Sequence, residues 1–321
     1  TIAERRRGRY RRWTMERLTL DQAIPGQLRG SIVALGNFDG FHLGHQAVVS
    51  RAVARGHHER KPVIVATFDP HPVRLFKPGA PPFQLTSLDQ RMALFAHAGA
   101  DAMLVFRFDA DLAATPADDF VAQLLGQRIG ATGVVTGDDF TFGKGRGGNV
   151  EVLRSIGAEL GIVAEAVAPV LLSGERISSG RVREALAAGD PGTATRLLSR
   201  PFAIAGVVER GDARGRELGY PTANLRMGDY QRPAYGVYAV RVRLDDEREI
   251  AGVASLGIRP TFEPPVELLE AHLFDFDEDL YGRTIEVALH AFIRAEEKFD
   301  DLAALTARMR EDEAAARRLL A

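Results

Sequence analysis

Residues 36–45 read Gly36-Asn37-Phe38-Asp39-Gly40-Phe41-His42-Leu43-Gly44-His45 and stand between two apolar segments. The run from Ser31 to Leu35 before them predicts a buried strand. The residues from Gln46 to Ala54 carry apolar side chains at helical spacing and predict a helix. A glycine-rich turn between a strand and a helix lets backbone N–H groups converge on a phosphate, so this turn predicts a nucleotide site.

Two histidines stand three residues apart within the turn. His42 and His45 both fall near the predicted start of the helix, so their rings can reach one point. Neutral or cationic imidazoles there can hold the negative charge that develops on a phosphoryl group. The alternative is a tight turn with two surface histidines, and the HxGH spacing at a strand-to-helix junction makes that the weaker interpretation.

The decamer resembles the GxFDGxHxGH motif of flavin-adenylylating nucleotidyltransferases. The resemblance implies that His42 and His45 are catalytic. It also implies a set of nucleotide-binding residues within the turn, namely Gly36, Asn37, Phe38, Asp39 and Gly40.

Length and composition favour a globular protein with two domains. The chain has 321 residues, of which 45% are apolar and 26% charged. No apolar run approaches the roughly 18 residues of a membrane span, and nothing at the start resembles a secretory signal. The absence of cysteine excludes disulfides, thiolate chemistry and cysteine-ligated zinc. We expect a cytoplasmic protein without a membrane partner.

The first fourteen residues differ in charge from the rest of the chain. They hold six arginines and one glutamate, a net charge of +5 against −2 for the whole chain, so the remainder is acidic. A basic arm can bind nucleic acid. The favoured interpretation is an upstream extension, because Met15 begins a more ordinary sequence. Nucleic acid is therefore not the expected partner, and residues 1–14 are the only feature of the sequence that suggests one.

Residues 15–188 alternate predicted strands and helices, which indicates a Rossmann-like α/β nucleotidyltransferase domain with a parallel sheet. Ser87 is a plausible helix N-cap, and Pro116 opens another helix. Ligands are expected at the carboxyl ends of the strands. Four further strands are predicted after the first, at residues 62–68, 102–106, 133–137 and 162–167.

Two later segments of this domain carry polar groups suited to nucleotides. The glycine-rich residues 137–148 read as a flexible loop by composition, but they resemble the GxDFxFGxxRxG segment of the same enzymes, which implies a nucleotide contact for Asp139. Residues 177–186 read as a capped surface helix or as a phosphate-binding helix start. They resemble the ISSTxIR motif, which implies that Ser178, Ser179 and Arg183 bind the nucleotide, although Gly180 stands where a threonine or serine is usual.

The pattern changes after a break, with residues 189–200 predicted as a linker. Residues 201–321 show short, evenly spaced strands that predict a small antiparallel β-barrel, closed by an amphipathic helix at residues 300–320. The strands are predicted at residues 202–208, 236–242, 249–256, 268–274 and 284–289.

The barrel segment has its own polar cluster. Thr222 and Asn224 place two neutral oxygens two residues apart, which suits Mg²⁺ shared with phosphates, whereas Pro-Thr-Ala-Asn is also good β-turn chemistry. Four glycines precede them and permit a backbone wrapped round phosphates, at positions Gly206, Gly211, Gly215 and Gly219.

This cluster resembles the GxxxGRxLGxPTAN motif of bacterial riboflavin kinase modules. Further matches lie at residues 257–262, 270–276 and 294–299, whereas Ser255 and Leu256 depart mildly from the family pattern. The resemblance implies that Glu270 is the catalytic carboxylate.

With both motif sets in this order, the chain resembles the bacterial bifunctional riboflavin kinase/FAD synthetase family. The resemblance implies that ATP phosphorylates riboflavin to FMN in the barrel. A second ATP would then adenylylate FMN to FAD in the α/β domain, with Mg²⁺ as cofactor.

Two alternatives belong to other classes of protein. One is a single-activity adenylyl- or cytidylyltransferase with a passive β-domain, which the intact PTAN and Glu270 segments disfavour. The other is a nucleic-acid-binding protein that uses residues 1–14, which the acidic body and the lack of interleaved aromatic and basic residues disfavour.

Overall fold

The computed structural model describes residues 15–210, 219–259 and 266–321. The arginine-rich arm, Gly211, Gly215 and the predicted match at residues 260–262 lie outside the described residues. The chain divides into two compact units. The described part of the first comprises residues 15–37, 45–79 and 92–168. The second comprises Phe38–Gly44, Ala80–Arg91 and Pro169–Ala321.

The first unit is built on a six-stranded parallel sheet with the order β1-β4-β3-β2-β5-β6. The order reverses between β2 and β5, and ligands of doubly wound sheets bind outside the carboxyl ends of strands at such a reversal. The strands are β1 Glu16–Thr19, β2 Ile32–Leu35, β3 Val63–Asp69, β4 Ala102–Arg107, β5 Gly133–Gly137 and β6 Val163–Val167.

Helices cover this sheet. All of β2 and the first five residues of β4 are apolar and buried, as expected for strands covered on both faces. The first and third helices begin within the second unit and continue in the first. A π-helical segment, Phe120–Ile129, directly follows the fifth helix. The helices are α1 Leu43–Glu59, α2 Pro72–Phe76, α3 Leu88–His97, α4 Ala110–Ala114, α5 Ala117–Asp119 and α6 Val150–Glu159.

The predicted parallel α/β architecture is confirmed, with every predicted strand present to within two residues at its ends. Ser87 is the predicted cap of α3: its hydroxyl accepts from the Gln90 amide at 3.2 Å, and the Gln90 side chain accepts from the Ser87 amide at 2.9 Å. Strand β1 was not predicted, because it has four residues and Glu16 and Arg17 are exposed.

The second unit contains a six-stranded antiparallel sheet with the order β10-β13-β12-β11-β14-β9. A bridge between Glu209 and Asn224 brings the chain after β9 alongside β10, so the sheet is a nearly closed barrel, as predicted. A short hairpin formed by β7 Leu171–Leu172 and β8 Glu175–Arg176 precedes it. The barrel strands are β9 Phe202–Val207, β10 Ala223–Arg226, β11 Gly236–Arg243, β12 Glu249–Arg259, β13 Val266–Leu273 and β14 Thr284–Ala295.

Among its described residues, the second unit also contains three complete helices, α7 Ser179–Ala187, α8 Pro191–Leu198 and α9 Leu302–Leu320. Helix α8 falls in the segment predicted as a linker. Its residues Leu197 and Leu198 are buried in the same apolar cluster as the barrel interior. Among the described residues, no helix has the length and apolar content that crossing a membrane requires.

Helix α9 is fastened to the barrel by a buried ion pair. The Arg294 guanidinium donates to both carboxylate oxygens of Asp312, at 2.9 Å and 2.7 Å, and the two side chains are only 12% and 7% exposed. Beside this pair, Phe274 packs with Ala316 and Leu320 of the helix in a small apolar cluster. The bidentate pair therefore sets the position of α9 on the barrel.

We predict that Asp312→Ala lowers the free energy of unfolding of the second unit by about 3 kcal/mol, because it removes the bidentate partner of the largely buried Arg294 guanidinium, which is left with a longer contact to Glu297 at 3.8 Å. Urea denaturation measures this change. Glu311→Ala is the control, since Glu311 pairs with Arg308 at the surface and should contribute less than about 1 kcal/mol. Equal losses in the two variants would contradict this role of the pair.

Candidate active sites

The glycine-rich turn has an unusual backbone. Its central residues, 38–44, belong to the second unit, whereas Asn37 and His45 belong to the first. Phe38 and Phe41 have φ of 51° and 46°, and Gly40 has φ of 82°. For a residue with a side chain, this left-handed region costs about 1 kcal/mol or more, so the surroundings must hold the turn in place.

Asp39 supplies much of that support. Its side chain is 2% exposed, and one carboxylate oxygen accepts from the amides of Leu85 at 2.9 Å and Thr86 at 3.1 Å. The other oxygen accepts from the Arg183 guanidinium at 2.7 Å. The Thr86 hydroxyl in turn accepts from the Gly40 amide at 3.0 Å. Both oxygens of Asp39 thus bind protein groups, and its contact with a nucleotide stays a prediction.

The predicted residues of α7 meet the turn in the second unit. Ser178 caps the helix by accepting from the Arg181 amide at 3.3 Å. The Ser179 hydroxyl donates to the Asp39 carbonyl oxygen at 2.8 Å. Arg183, one turn later, also donates to the backbone carbonyl of Phe83 at 2.8 Å. The first turn of α7 therefore supports the glycine-rich turn directly.

His42 is buried, with 6% exposure, next to this network. Burial is the largest cause that lowers its pKa to about 4, and Arg176 and Arg183 lower the pKa further, whereas Asp39 raises it. The ring lies so close to Gly44 that a Cβ there would be 3.1 Å from His42 Cε1. His42 is therefore neutral at physiological pH, and of the two charge states that the sequence left open, the structure selects the neutral imidazole.

We predict that His42 makes the second unit sensitive to acid. Because its folded pKa of about 4 lies below the usual 6.5, the unfolded chain binds the proton more readily. Its contribution to stability is full above about pH 6.5 and is lost as the pH falls toward 4, a total of roughly 3 kcal/mol. Urea denaturation at pH 7 and pH 4.5 should show a smaller loss in His42→Gln, and an unchanged pH dependence would contradict the prediction.

In the first unit, the predicted residues gather at the carboxyl edge of the sheet. Gly36 and Asn37 follow β2, and Asp139 follows β5, its parallel neighbour. The Thr67 hydroxyl donates to the Asn37 carbonyl at 2.7 Å and holds that edge. Asp139 is exposed, and His45 lies partly buried in the first turn of α1. These positions are those at which a doubly wound sheet presents groups to a ligand.

The barrel brings three polar residues into one row across its strands. Asn224 of β10 is opposite Glu270 of β13, which is opposite Ser255 of β12. The neighbours Leu225 and Ala271 point into the barrel core, so the row lies on the other face. Paired residues of antiparallel strands have Cβ atoms about 5 Å apart, so the carboxylate and the amide are neighbours.

The arrangement fits the predicted magnesium ligands. The Thr222 hydroxyl oxygen lies 3.2 Å from Asn224 Oδ1. Two adjacent ligands of octahedral Mg²⁺ are about 3 Å apart, because each Mg–O bond is about 2.1 Å. Within the described ranges no group of three histidine, aspartate or glutamate side chains forms a metal site. The protein thus offers two neutral oxygens, and phosphate oxygens and water would complete the shell.

His272 supports this segment and was not predicted to do so. Its Nδ1 lies 2.9 Å from the carbonyl oxygen of Pro221, and its ring contacts Tyr220 edge-on at 4.9 Å. Tyr220 also donates to Glu313 of α9 at 3.2 Å. The sequence signal that could have indicated this role is the alternation along the strand, which puts His272 on the same face as Glu270. His272 and Tyr220 together hold the residues just before Thr222.

Of the glycines predicted to wrap phosphates, two are described. Gly206 lies within β9 opposite Ile285, and a Cβ there would approach Leu225 to 3.2 Å, so the packing of the strand favours glycine at this position, and its contact with phosphate stays a prediction. Gly219 has φ of 82° and open space around it. Only Gly219 has the left-handed backbone of a phosphate-binding turn.

Comparison with known proteins relates the two parts of the chain to two kinds of enzyme. A family model for FAD synthetase matches residues 24–181, and one for riboflavin kinase matches residues 198–320. The bifunctional riboflavin kinase/FMN adenylyltransferase of Escherichia coli K12 is 40% identical over 288 residues, covering 90% of this chain and 92% of that protein. The Pseudomonas fluorescens relative of the same name is 40% identical over 294 residues, covering 91% and 94%.

The chain belongs to the bacterial bifunctional riboflavin kinase/FMN adenylyltransferase family. As a member it makes FMN from riboflavin and ATP, and then FAD from FMN and a second ATP. The predicted function and enzyme class are therefore confirmed.

A solved structure also covers this family member almost completely. A crystal structure described as a macrolide-efflux protein from Streptococcus pneumoniae is 30% identical, with a TM-score of 0.84, and the match covers 94% of this chain and 99% of that one. The efflux description belongs to that protein alone. Here both family models and the curated relatives name flavin enzymes.

Proposed function

We propose that riboflavin is phosphorylated at the barrel row, with Glu270 as the general base. The observation that supports this best is the strand register that sets Glu270 beside Asn224, whose Oδ1 is 3.2 Å from the Thr222 hydroxyl. The 5′-hydroxyl of riboflavin is a neutral alcohol, so a base assists it. Glu270 accepts its proton as the oxygen bonds to the γ-phosphorus, and the bond to the β-phosphate oxygen breaks to release ADP.

Thr222 and Asn224 are the proposed holders of Mg²⁺. When bound, the ion neutralises charge on the phosphate oxygens of ATP. Gly219, with its left-handed backbone, is proposed to bind the nucleotide phosphates, together with Gly206 and the glycines at 211 and 215. His272 keeps the segment before Thr222 in place through the carbonyl of Pro221.

We predict that Glu270→Gln lowers kcat for riboflavin phosphorylation at least about a hundredfold, because the amide keeps the shape but accepts no proton. KM for riboflavin should change little. Chromatography of the flavins measures both, and added FMN should still become FAD at the parent rate. Glu249→Gln on β12 is the control, since that carboxylate pairs with Arg241. A Glu270→Gln variant with near-parent kcat would remove Glu270 from the mechanism.

Adenylyl transfer is proposed to take place at the glycine-rich turn. The phosphate of FMN is already an anion, so the reaction requires positioning and charge stabilisation rather than a strong base. His42, as a neutral imidazole, and His45 donate hydrogen bonds to the oxygens of the α-phosphate. The FMN oxygen bonds to the α-phosphorus as the bond to the departing pyrophosphate breaks.

The remaining residues of this site bind ATP or hold the turn. Asp39 and Arg183 hold the turn through their ion pair at 2.7 Å. Arg183 also adds positive charge to the proposed site. The residues proposed to bind the nucleotide are Gly36, Asn37, Phe38, Asp39, Gly40, Asp139, Ser178, Ser179 and Arg183.

We predict that His42→Ala or His45→Ala slows FAD formation by roughly 10²–10³, the loss expected for one transition-state donor. FMN formation should be nearly unchanged. His58→Ala is the matched control, because His58 is exposed on the same helix as His45. A parallel fall of both activities would indicate misfolding rather than the loss of a catalytic group.

We propose an adenylyltransferase domain at residues 15–188, a connection at 189–200 and a kinase domain at 201–321, which the two family matches support. The partners of the enzyme are small molecules, namely ATP, riboflavin and FMN. We propose a cytoplasmic location and no role for nucleic acid.

A further inference from the structure

Within the second unit, Arg200 connects two segments that match different families. It lies between α8 and β9, in the stretch that matches riboflavin kinase. Its guanidinium donates to the carbonyl oxygens of Gly40 at 2.8 Å and Phe41 at 3.4 Å, which belong to the stretch that matches FAD synthetase. A third bond reaches the carbonyl of Leu198 at 3.3 Å.

The chemistry of this contact suits a fixed clamp. A guanidinium is planar and presents its donors as a rigid fork, so one side chain can bind two successive carbonyls. Burial lowers the pKa of Arg200 to about 10, against the opposing charge of Glu286, so the group still carries its charge at neutral pH. A buried charge is costly unless hydrogen bonds satisfy it, and here backbone carbonyls satisfy it.

The two carbonyls belong to the strained part of the turn. Gly40 and Phe41 both have left-handed backbone, and His42 follows directly. The amide of Gly40 is already bound by the Thr86 hydroxyl on its other side. Thr86 therefore binds the amide of Gly40 and Arg200 binds its carbonyl, two positions before the buried imidazole of His42.

We propose that Arg200 is a positioning residue for adenylyl transfer, which acts by fixing the turn that carries His42. The proposal rests on the role suggested above for His42. It follows that a residue in the kinase-matched stretch is required for full activity of the adenylyltransferase, although it contacts no reacting atom.

Arg200→Met tests this in the full chain, because methionine keeps an unbranched apolar stem and removes the donors. FAD formation from FMN and ATP should fall by about 10- to 100-fold in kcat, the effect of a misplaced catalytic group. KM for FMN should stay within about threefold, and FMN formation from riboflavin should stay at the parent rate. Arg200→Lys, which keeps the charge but loses the fork, should recover part of the activity.

Arg196→Met is the matched control, since Arg196 lies on the exposed side of α8 and donates to the Thr193 hydroxyl at 2.6 Å. A second readout follows the His42 ring by NMR. In Arg200→Met the pKa of His42 should rise from about 4 toward its usual 6.5, because a loosened turn admits water. A residue that only stabilised the fold would lower the melting temperature without moving kcat or this pKa.

Two results would overturn the inference. One is parent-like FAD formation in a folded Arg200→Met, and the other is an equal fall of both activities. If Arg200→Met does not fold, Arg200→Lys decides in its place, and FAD formation within about twofold of the parent overturns the proposal. The proposed role of His42 and His45 is tested separately. If that role is wrong, His42→Ala and His45→Ala make FAD at the parent rate, whatever the rate measured for the Arg200 variants.

Discussion

The ion pair between Asp39 and Arg183 is the contact on which the glycine-rich turn depends. The turn holds two phenylalanines in left-handed backbone, a conformation that isolated residues avoid. The carboxylate offsets this by binding a guanidinium and the amides of Leu85 and Thr86. Without it, the partly buried guanidinium of Arg183 and the amides of Leu85 and Thr86 would lose a shared acceptor together, a larger penalty than the loss of any single bond.

In the barrel the equivalent constraint is strand register. Glu270 lies on the face away from the core only because Leu269 and Ala271 occupy core positions on either side. A slip of one residue would move the carboxylate into the apolar interior. Gly252 supports the register, since a Cβ there would lie 2.5 Å from the carbonyl oxygen of His272 on the neighbouring strand. The chemistry of this site is thus a consequence of how the sheet packs.

The sequence predicted those features that depend on local pattern. Continuous apolar runs located the central parallel strands, and short, evenly spaced strands located the barrel. It did not predict β10, because Pro-Thr-Ala-Asn has the composition of a turn, nor the burial of α8. Gly40 contacts Thr86, 46 positions away, and Arg200, 160 positions away. Contacts between residues so far apart cannot be predicted from the local periodicity of the sequence. The pKa of His42 depends on the same tertiary burial.

A motif mixes residues that face the reaction with residues that hold the backbone, and spacing alone does not separate them. Asp39 and Ser179 match a nucleotide-binding pattern, and in the folded chain the carboxylate of one and the hydroxyl of the other also bind protein groups. This division of work agrees with the chemistry. An anionic nucleophile needs no base, so a neutral imidazole in a rigid turn can stabilise developing charge without reorganising. In the proposed kinase reaction the alcohol of riboflavin does need a base, and the residue proposed for that role, Glu270, stands on a partly exposed strand face.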